Sequence, residues 1–161
     1  MRIKMPSYPY RLIAAILVCV ALLLPAASLA HEMRAPLIVD TDMALDDVRA
    51  LTLLTGLNHY EVRALVTSDG SCAPEKSLHR LPDLFKLLKT PLPPLGVGKE
   101  SAQAPPPWRK ICGATYWSRL PDAPAPVAGP ALEAMSLALQ NATEPVTYLC
   151  LGPMTNLAEL V

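Results

Sequence analysis

The stretch Pro36-Leu-Ile-Val-Asp40-Thr-Asp42-Met-Ala-Leu-Asp46-Asp47-Val-Arg-Ala-Leu51 decides how this chain is read. Pro36 to Asp40 is a short apolar run that reads as a buried strand. From Asp46 the period changes, and Val48, Leu51, Leu54 and Leu57 line one face of a helix predicted to run to His59. Four carboxylates fall within eight residues across the junction. Carboxylates that close repel one another, so folding them together costs free energy unless a cation or a hydroxyl-rich ligand compensates. Three of them have plainer roles. Asp46 and Asp47 can cap the helix and complement its dipole, and Asp40 can satisfy turn amides. Four acids at this spacing favour a metal or polyol site, with Asp42 and Asp47 the best ligands. The flexible multi-oxygen shell of calcium suits them. A bound divalent ion lowers the pKa of a coordinated water, which a neighbouring Asp can then deprotonate.

Strand and helix patterns alternate outward from this junction. Glu61 to Thr67 is a second strand, closed by a turn at Ser68-Asp69-Gly70. Pro74 to Lys89 is a helix in which Leu78, Leu81, Leu84, Phe85 and Leu88 share a face, and Pro82 is expected to kink or restart it. Leu95 to Val97 is a short third strand. Lys99 to Pro130 has no clean period, is rich in Pro and Ala, and holds both tryptophans. A further helix follows Gly129-Pro130 to about Asn141. Val146 to Leu151 is another buried strand, broken by Gly152-Pro153, with Thr155 expected to N-cap a last helix. Near-continuous apolar strands alternating with helices argue an α/β fold: a Rossmann-like open, mostly parallel sheet with helices on both faces. Ligands bind such sheets at the carboxyl ends of the strands, where Asp40 to Asp47 and Gly152 to Asn156 both fall.

The N-terminus carries a different signal. Arg2, Lys4 and Arg11 precede an apolar run from Leu12 to Leu24, and Ser28-Leu29-Ala30 offers a small-x-small cleavage site. Residues 1–30 are therefore expected to be a signal peptide cleaved after Ala30 rather than a retained anchor. Residues 31–161 would form the folded part, exported to the periplasm or secreted, with no membrane attachment after cleavage. Removing those three cations from 14 basic and 14 acidic residues leaves a mildly acidic chain. Nothing in that charge favours nucleic acid; a small neutral or cationic substrate fits better. Cys72, Cys112 and Cys150 remain, without CxxC spacing. Cys150 reads as a packed thiol, while Cys72 and Cys112 could pair.

Two segments together resemble a known family. Asp40-Thr-Asp42-x-x-x-Asp46-Asp47 after an apolar strand resembles the N-terminal signature of nucleoside hydrolases of the inosine–uridine-preferring type. Val146-Thr-Tyr-Leu-Cys-Leu151-Gly152-Pro153-Met-Thr155-Asn156-Leu157-Ala158 resembles that family's strand followed by Gly-Pro-Leu-Thr-Asn-Leu-Ala. The resemblance implies calcium-dependent hydrolysis of the N-glycosidic bond of a small-molecule nucleoside, through an oxocarbenium-like state. Asp42 and Asp47 would ligate Ca2+ with the carbonyl of Leu151, Asp40 would belong to the same shell, and Asp42 would activate the water. Asp46, Ser71 and Asn156 would face the substrate, Ser71 standing near the place of a ribose-contacting Asn. Met43-Ala44 replaces the family's Pro-Gly, and Trp108 to Trp117 contains none of the base-pocket histidine. The match covers about the first half of a family member, whose second half supplies another calcium-binding Asp. It therefore implies a truncated chain, inactive by itself, and a homo-oligomer for a full-length form.

Two other functions compete. A haloacid-dehalogenase-type phosphatase would use Asp40-Thr-Asp42 with magnesium, and Thr67 or Ser68 as its second motif, but leaves Asp46-Asp47 and Gly-Pro-Met-Thr-Asn unexplained. A remnant that binds nucleosides or sugars without turnover is the third possibility. Trp108, Tyr116 and Trp117 either stack on a base or anchor the long loop to the core, and anchoring is favoured. His31, His59 and His79 are read as noncatalytic, and Asn141-Ala-Thr143 as a helix end and loop.

Overall fold

The computed structural model describes residues 34–57, 59–114 and 126–161. The expected signal peptide, His31, Tyr116 and Trp117 lie outside them. Among the described residues the strands are β1 (Ala35–Thr41), β2 (Tyr60–Thr67), β3 (Leu95–Val97), β4 (Gly129–Pro130) and β5 (Thr147–Cys150). All neighbours pair in parallel, in the order β4-β3-β2-β1-β5. The helices are α1 (Leu45–Gly56), α2 (Pro74–Leu88), α3 (Arg109–Ala114), α4 (Ala131–Gln140) and α5 (Thr155–Leu160). This is the open parallel α/β sheet that the alternating pattern predicts.

Side-chain alternation along the central strands builds two cores. Leu37 and Val39 of β1 and Leu65 of β2 face Leu51 of α1 and Leu78, Leu81, Leu84 and Phe85 of α2. Ile38, Ala64 and Val66 face the opposite way, onto Ala131, Met135 and Ala138 of α4 and Leu160 of α5. Each fully buried aliphatic side chain contributes about 1.5–3 kcal/mol. A register shift at Leu37/Ile38 takes up one extra residue in β2.

Four local readings are corrected. Helix α1 ends at Gly56 rather than His59, because the Leu57 amide turns back to the carbonyls of Leu53 and Leu54 and closes the helix. Pro82 sits inside α2 without ending it; the apolar face on both sides of it is buried and holds the helix together. Thr155 is the first residue of α5, and its side chain does not cap it. The aperiodic stretch holds α3, too short to show a period.

The topology positions the site. From β1 the chain steps outward through β2, β3 and β4, then returns to lay β5 on the other side of β1. The crevice at such a reversal, beyond the carboxyl ends of β1 and β5, is where open α/β sheets bind ligands.

Candidate active site

The end of β1 sends its polar side chains to opposite faces. Asp40 shares a face with Ile38, is fully buried, and accepts a 2.6 Å hydrogen bond from the Tyr148 hydroxyl. The Asn156 amide nitrogen donates to both Asp40 oxygens at 3.2 Å and to the Thr67 carbonyl at 3.0 Å. Three elements thus meet on one carboxylate: β1, β5 and α5. Burial pushes the Asp40 carboxyl above its usual range, against the lowering effect of its hydrogen bonds and with a further push from Asp42. An acid so enclosed is not presented to a substrate, which removes the nucleophile that a phosphatase of the Asp-x-Asp type requires.

Thr41, one residue on, points to the other face. Its hydroxyl donates to Asp47 Oδ2 at 2.6 Å and accepts from the Met43 amide at 3.0 Å. The Asp42 amide donates to the same Asp47 oxygen at 3.1 Å. Asp47 is therefore folded back from the first turn of α1 onto the strand end. The tight reversal puts Met43 at φ 55, left-handed backbone that a side chain normally avoids. Holding a buried Met there stores strain at the point that brings Asp42 and Asp47 together.

Asp42 is 7 % exposed and Asp47 2 %. Asp42 Oδ1 accepts from the Ala44 amide at 3.1 Å and Oδ2 from the Ser71 amide at 2.8 Å. Gly70 lies so close that an added Cβ would collide with the Asp42 carboxylate, and Gly152 leaves room for the Asp42 backbone and Ser68. Burial, then the neighbouring charges of Asp42 and Asp46, raise Asp47 from 3.8 to about 6, against hydrogen bonds that lower it.

A cleft of about 340 Å3 opens beside Asp42, lined also by Asp69, Ser71, Trp108, Arg109 and Pro153. Of the residues expected to touch substrate, only Ser71 lines it. Asp46 is exposed on the first turn of α1, outside this lining, and Asn156 is engaged by Asp40. Leu151 follows β5, its amide bonded to the Asp40 carbonyl at 2.8 Å, so its backbone lies beside the carboxylates. Trp108 is 54 % exposed, and its indole nitrogen donates to Ser71 Oγ at 3.3 Å. It borders the cleft rather than anchoring the loop in the core, and none of the residues of α3, which follows it, is buried.

The donors fit a hard cation in part. Asp42 and Asp47 are oxygen donors, buried and mutually repelling, the electrostatic arrangement a divalent ion relieves. Among the described residues no cluster of three or more His, Cys, Asp or Glu forms a metal-binding group. Cys72, Cys112 and Cys150 are free thiols. Cys72 is buried, accepting from the Arg80 guanidinium at 3.2 Å. Cys150 Sγ donates to the Gly152 carbonyl at 3.1 Å.

Tyr148, Thr41, Asp69 and Arg109 were not singled out from the sequence. Thr41 stands between two of the acids and carried a signal. The others reach the site only through the sheet and loops.

Residues 37–161 match the family described as inosine-uridine preferring nucleoside hydrolase. The pyrimidine-specific ribonucleoside hydrolases RihA of Salmonella agona and Salmonella typhi are each 33% identical over 138 residues, covering 80% of this chain and 43% of their own. The chain thus spans less than half the length of these relatives. Among solved structures, the plant nucleoside hydrolase PpNRh1 superposes with a TM-score of 0.67 at 21% identity, covering 79% of this chain and 42% of that one. The purine-preferring ribonucleoside hydrolase from Gardnerella vaginalis gives the same TM-score and identity, covering 78% and 42%. These two likenesses establish the shared fold. With the strand-end acids of β1 and the Gly-Pro-Met-Thr-Asn turn after β5 in place, the chain belongs to the inosine–uridine-preferring nucleoside hydrolase family.

Proposed function

We propose that the carboxyl ends of β1 and β5 form part of the site of a calcium-dependent nucleoside hydrolase, which cleaves a ribonucleoside into base and ribose. The observation that carries this reading is the buried pair Asp42 and Asp47, linked through the Asp42 amide, with Asp42 lining a cleft. Asp42 and Asp47, with the Leu151 carbonyl, would hold the cation, which when bound acidifies a water and grips ribose hydroxyls. Asp42 takes the proton of the attacking water, and its charge favours the positive anomeric centre. Asp40 holds the strand end through Tyr148 and Asn156, and Asp46 and Ser71 are the candidate hydroxyl partners. The exposed Trp108 ring offers a stacking face for a base.

Two carboxylates and a carbonyl fall short of the six to eight oxygens that calcium takes, so other protein groups or substrate hydroxyls must complete the shell. Binding without turnover is therefore the second reading for this chain in isolation. Export with cleavage after Ala30 is part of the proposal and is checked by sequencing the N-terminus of the native product.

The test is release of base from inosine and uridine by the native protein, with calcium and with chelator. Asp42→Ala is expected to abolish hydrolysis while leaving the circular dichroism spectrum unchanged. Turnover retained in that variant would remove Asp42 from the chemistry. Saturable nucleoside binding with no turnover in wild type would select the second reading.

A further inference from the structure

Residues 101–109 reach back onto three consecutive positions of a single turn. The Ser101 amide donates to Asp69 Oδ2 at 2.8 Å. Arg109 Nε and Nη2 donate to the Gly70 carbonyl at 3.1 and 2.7 Å, and Nη2 lies 2.8 Å from Asp69 Oδ1. Trp108 Nε1 donates to Ser71 Oγ at 3.3 Å. The other end of α3 is tied by Arg80, whose Nη2 donates to the carbonyls of Cys112 and Gly113 at 2.8 and 2.9 Å. The gripped turn also touches Asp42, since the Ser71 amide donates to Asp42 Oδ2 and Gly70 packs against that carboxylate.

We propose that Arg109 is a positioning residue for the reaction, acting on Asp42 through the Asp69-Gly70-Ser71 turn. The inference rests on the nucleoside hydrolase reading above. The Asp69 side chain is 2% exposed, so its charge needs a fixed cationic partner. A planar guanidinium serves the carboxylate and the Gly70 carbonyl together, which the single ammonium of a Lys cannot do in the same geometry. The Gly70 carbonyl and the Ser71 amide belong to one planar peptide, so fixing the carbonyl fixes the amide that orients Asp42. Arg109 is remote from the strand-end acids in sequence, and its hydrogen bonds reach Asp42 through this turn.

The experiment compares wild type, Arg109→Ala and Arg109→Lys by two readouts. Amide hydrogen exchange over residues 69–72 should speed up in both variants, with exchange in β1 and β2 unchanged. Nucleoside hydrolysis should lose up to about 100-fold in kcat, the scale of a small misplacement of a reacting group, with a smaller change in KM. Arg109→Lys keeps a charge beside Asp69, so it reports on positioning even where Arg109→Ala does not fold. Unchanged exchange over 69–72, or kcat within about twofold of wild type in Arg109→Lys, would overturn the proposal. No hydrolysis in wild type would count against the functional reading instead, and the exchange readout would still decide whether Arg109 holds the turn.

Discussion

Asp42 directs both carboxylate oxygens at backbone amides, one in its own turn and one in the loop after β2. Asp47 accepts from Thr41 and from the Asp42 amide. The two acids are thus held by neutral donors, and their mutual repulsion is left uncompensated by any cationic side chain in that hydrogen-bond set. The consequence is a pH dependence with a definite sign. Asp47 is raised from 3.8 to about 6, mainly by burial. Between these values the native state keeps a proton that the unfolded chain has released, so this group lowers stability as pH rises through the window. In chelator, the melting temperature of wild type should fall more between pH about 4 and about 7 than that of Asp47→Asn. Parallel curves would show that Asp47 is not the destabilising acid. Much of this residue-scale picture was legible in the sequence, because Asp40, Asp42 and Asp47 lie within one strand–turn–helix junction. The partners were not. Tyr148 and Asn156 stand 108 and 116 residues from Asp40, and Ser71 stands 29 from Asp42, so only the order of strands brings them in.

Elements announced themselves according to how much period they carry. β1 and β2 begin and end within a residue of the apolar runs that predict them; β1 is buried along nearly its whole length and β2 over its second half. β3 matches its expected residues, and the helix after Gly129-Pro130 ends one residue short of Asn141. α3 escaped detection because six residues cannot display an amphipathic repeat and none of its side chains is buried. α2 shows packing overriding a local rule: Leu78 and Leu81 before Pro82, and Leu84 and Phe85 after it, all bury against the same core. Proline still lacks the amide that would bond the preceding turn, and its ring crowds that carbonyl. Pro82→Ala should therefore raise the melting temperature, with a gain in unfolding free energy below the roughly 3 kcal/mol that an interior proline costs, because alanine also loosens the unfolded chain. A lower melting temperature would mean that the ring of Pro82 contributes packing that outweighs the missing bond.

At the scale of the molecule, the sheet order explains why the two sequence motifs meet. β1 lies between β2 and β5, so the acids after β1 are flanked by the Ser68–Ser71 loop on one side and Leu151-Gly152 on the other. Both cores converge under this junction, with Leu37 and Val39 on one face and Ile38 on the other. A rigid two-sided support of this kind lets a strained, acid-rich turn persist. Parallel alternation made the architecture readable from the chain. The placement of α3 was not readable, because it depends on Arg80 reaching to its far end and on its own Arg109 reaching to the turn after β2.

The most direct test is a calorimetric calcium titration of wild type beside Asp42→Ala. Wild type should bind calcium saturably at one site, and the binding heat should vanish in the variant while its melting temperature in chelator stays close to wild type. Calcium binding that survives Asp42→Ala unchanged, or wild type that binds none in the presence of nucleoside, would contradict a cation site at the end of β1.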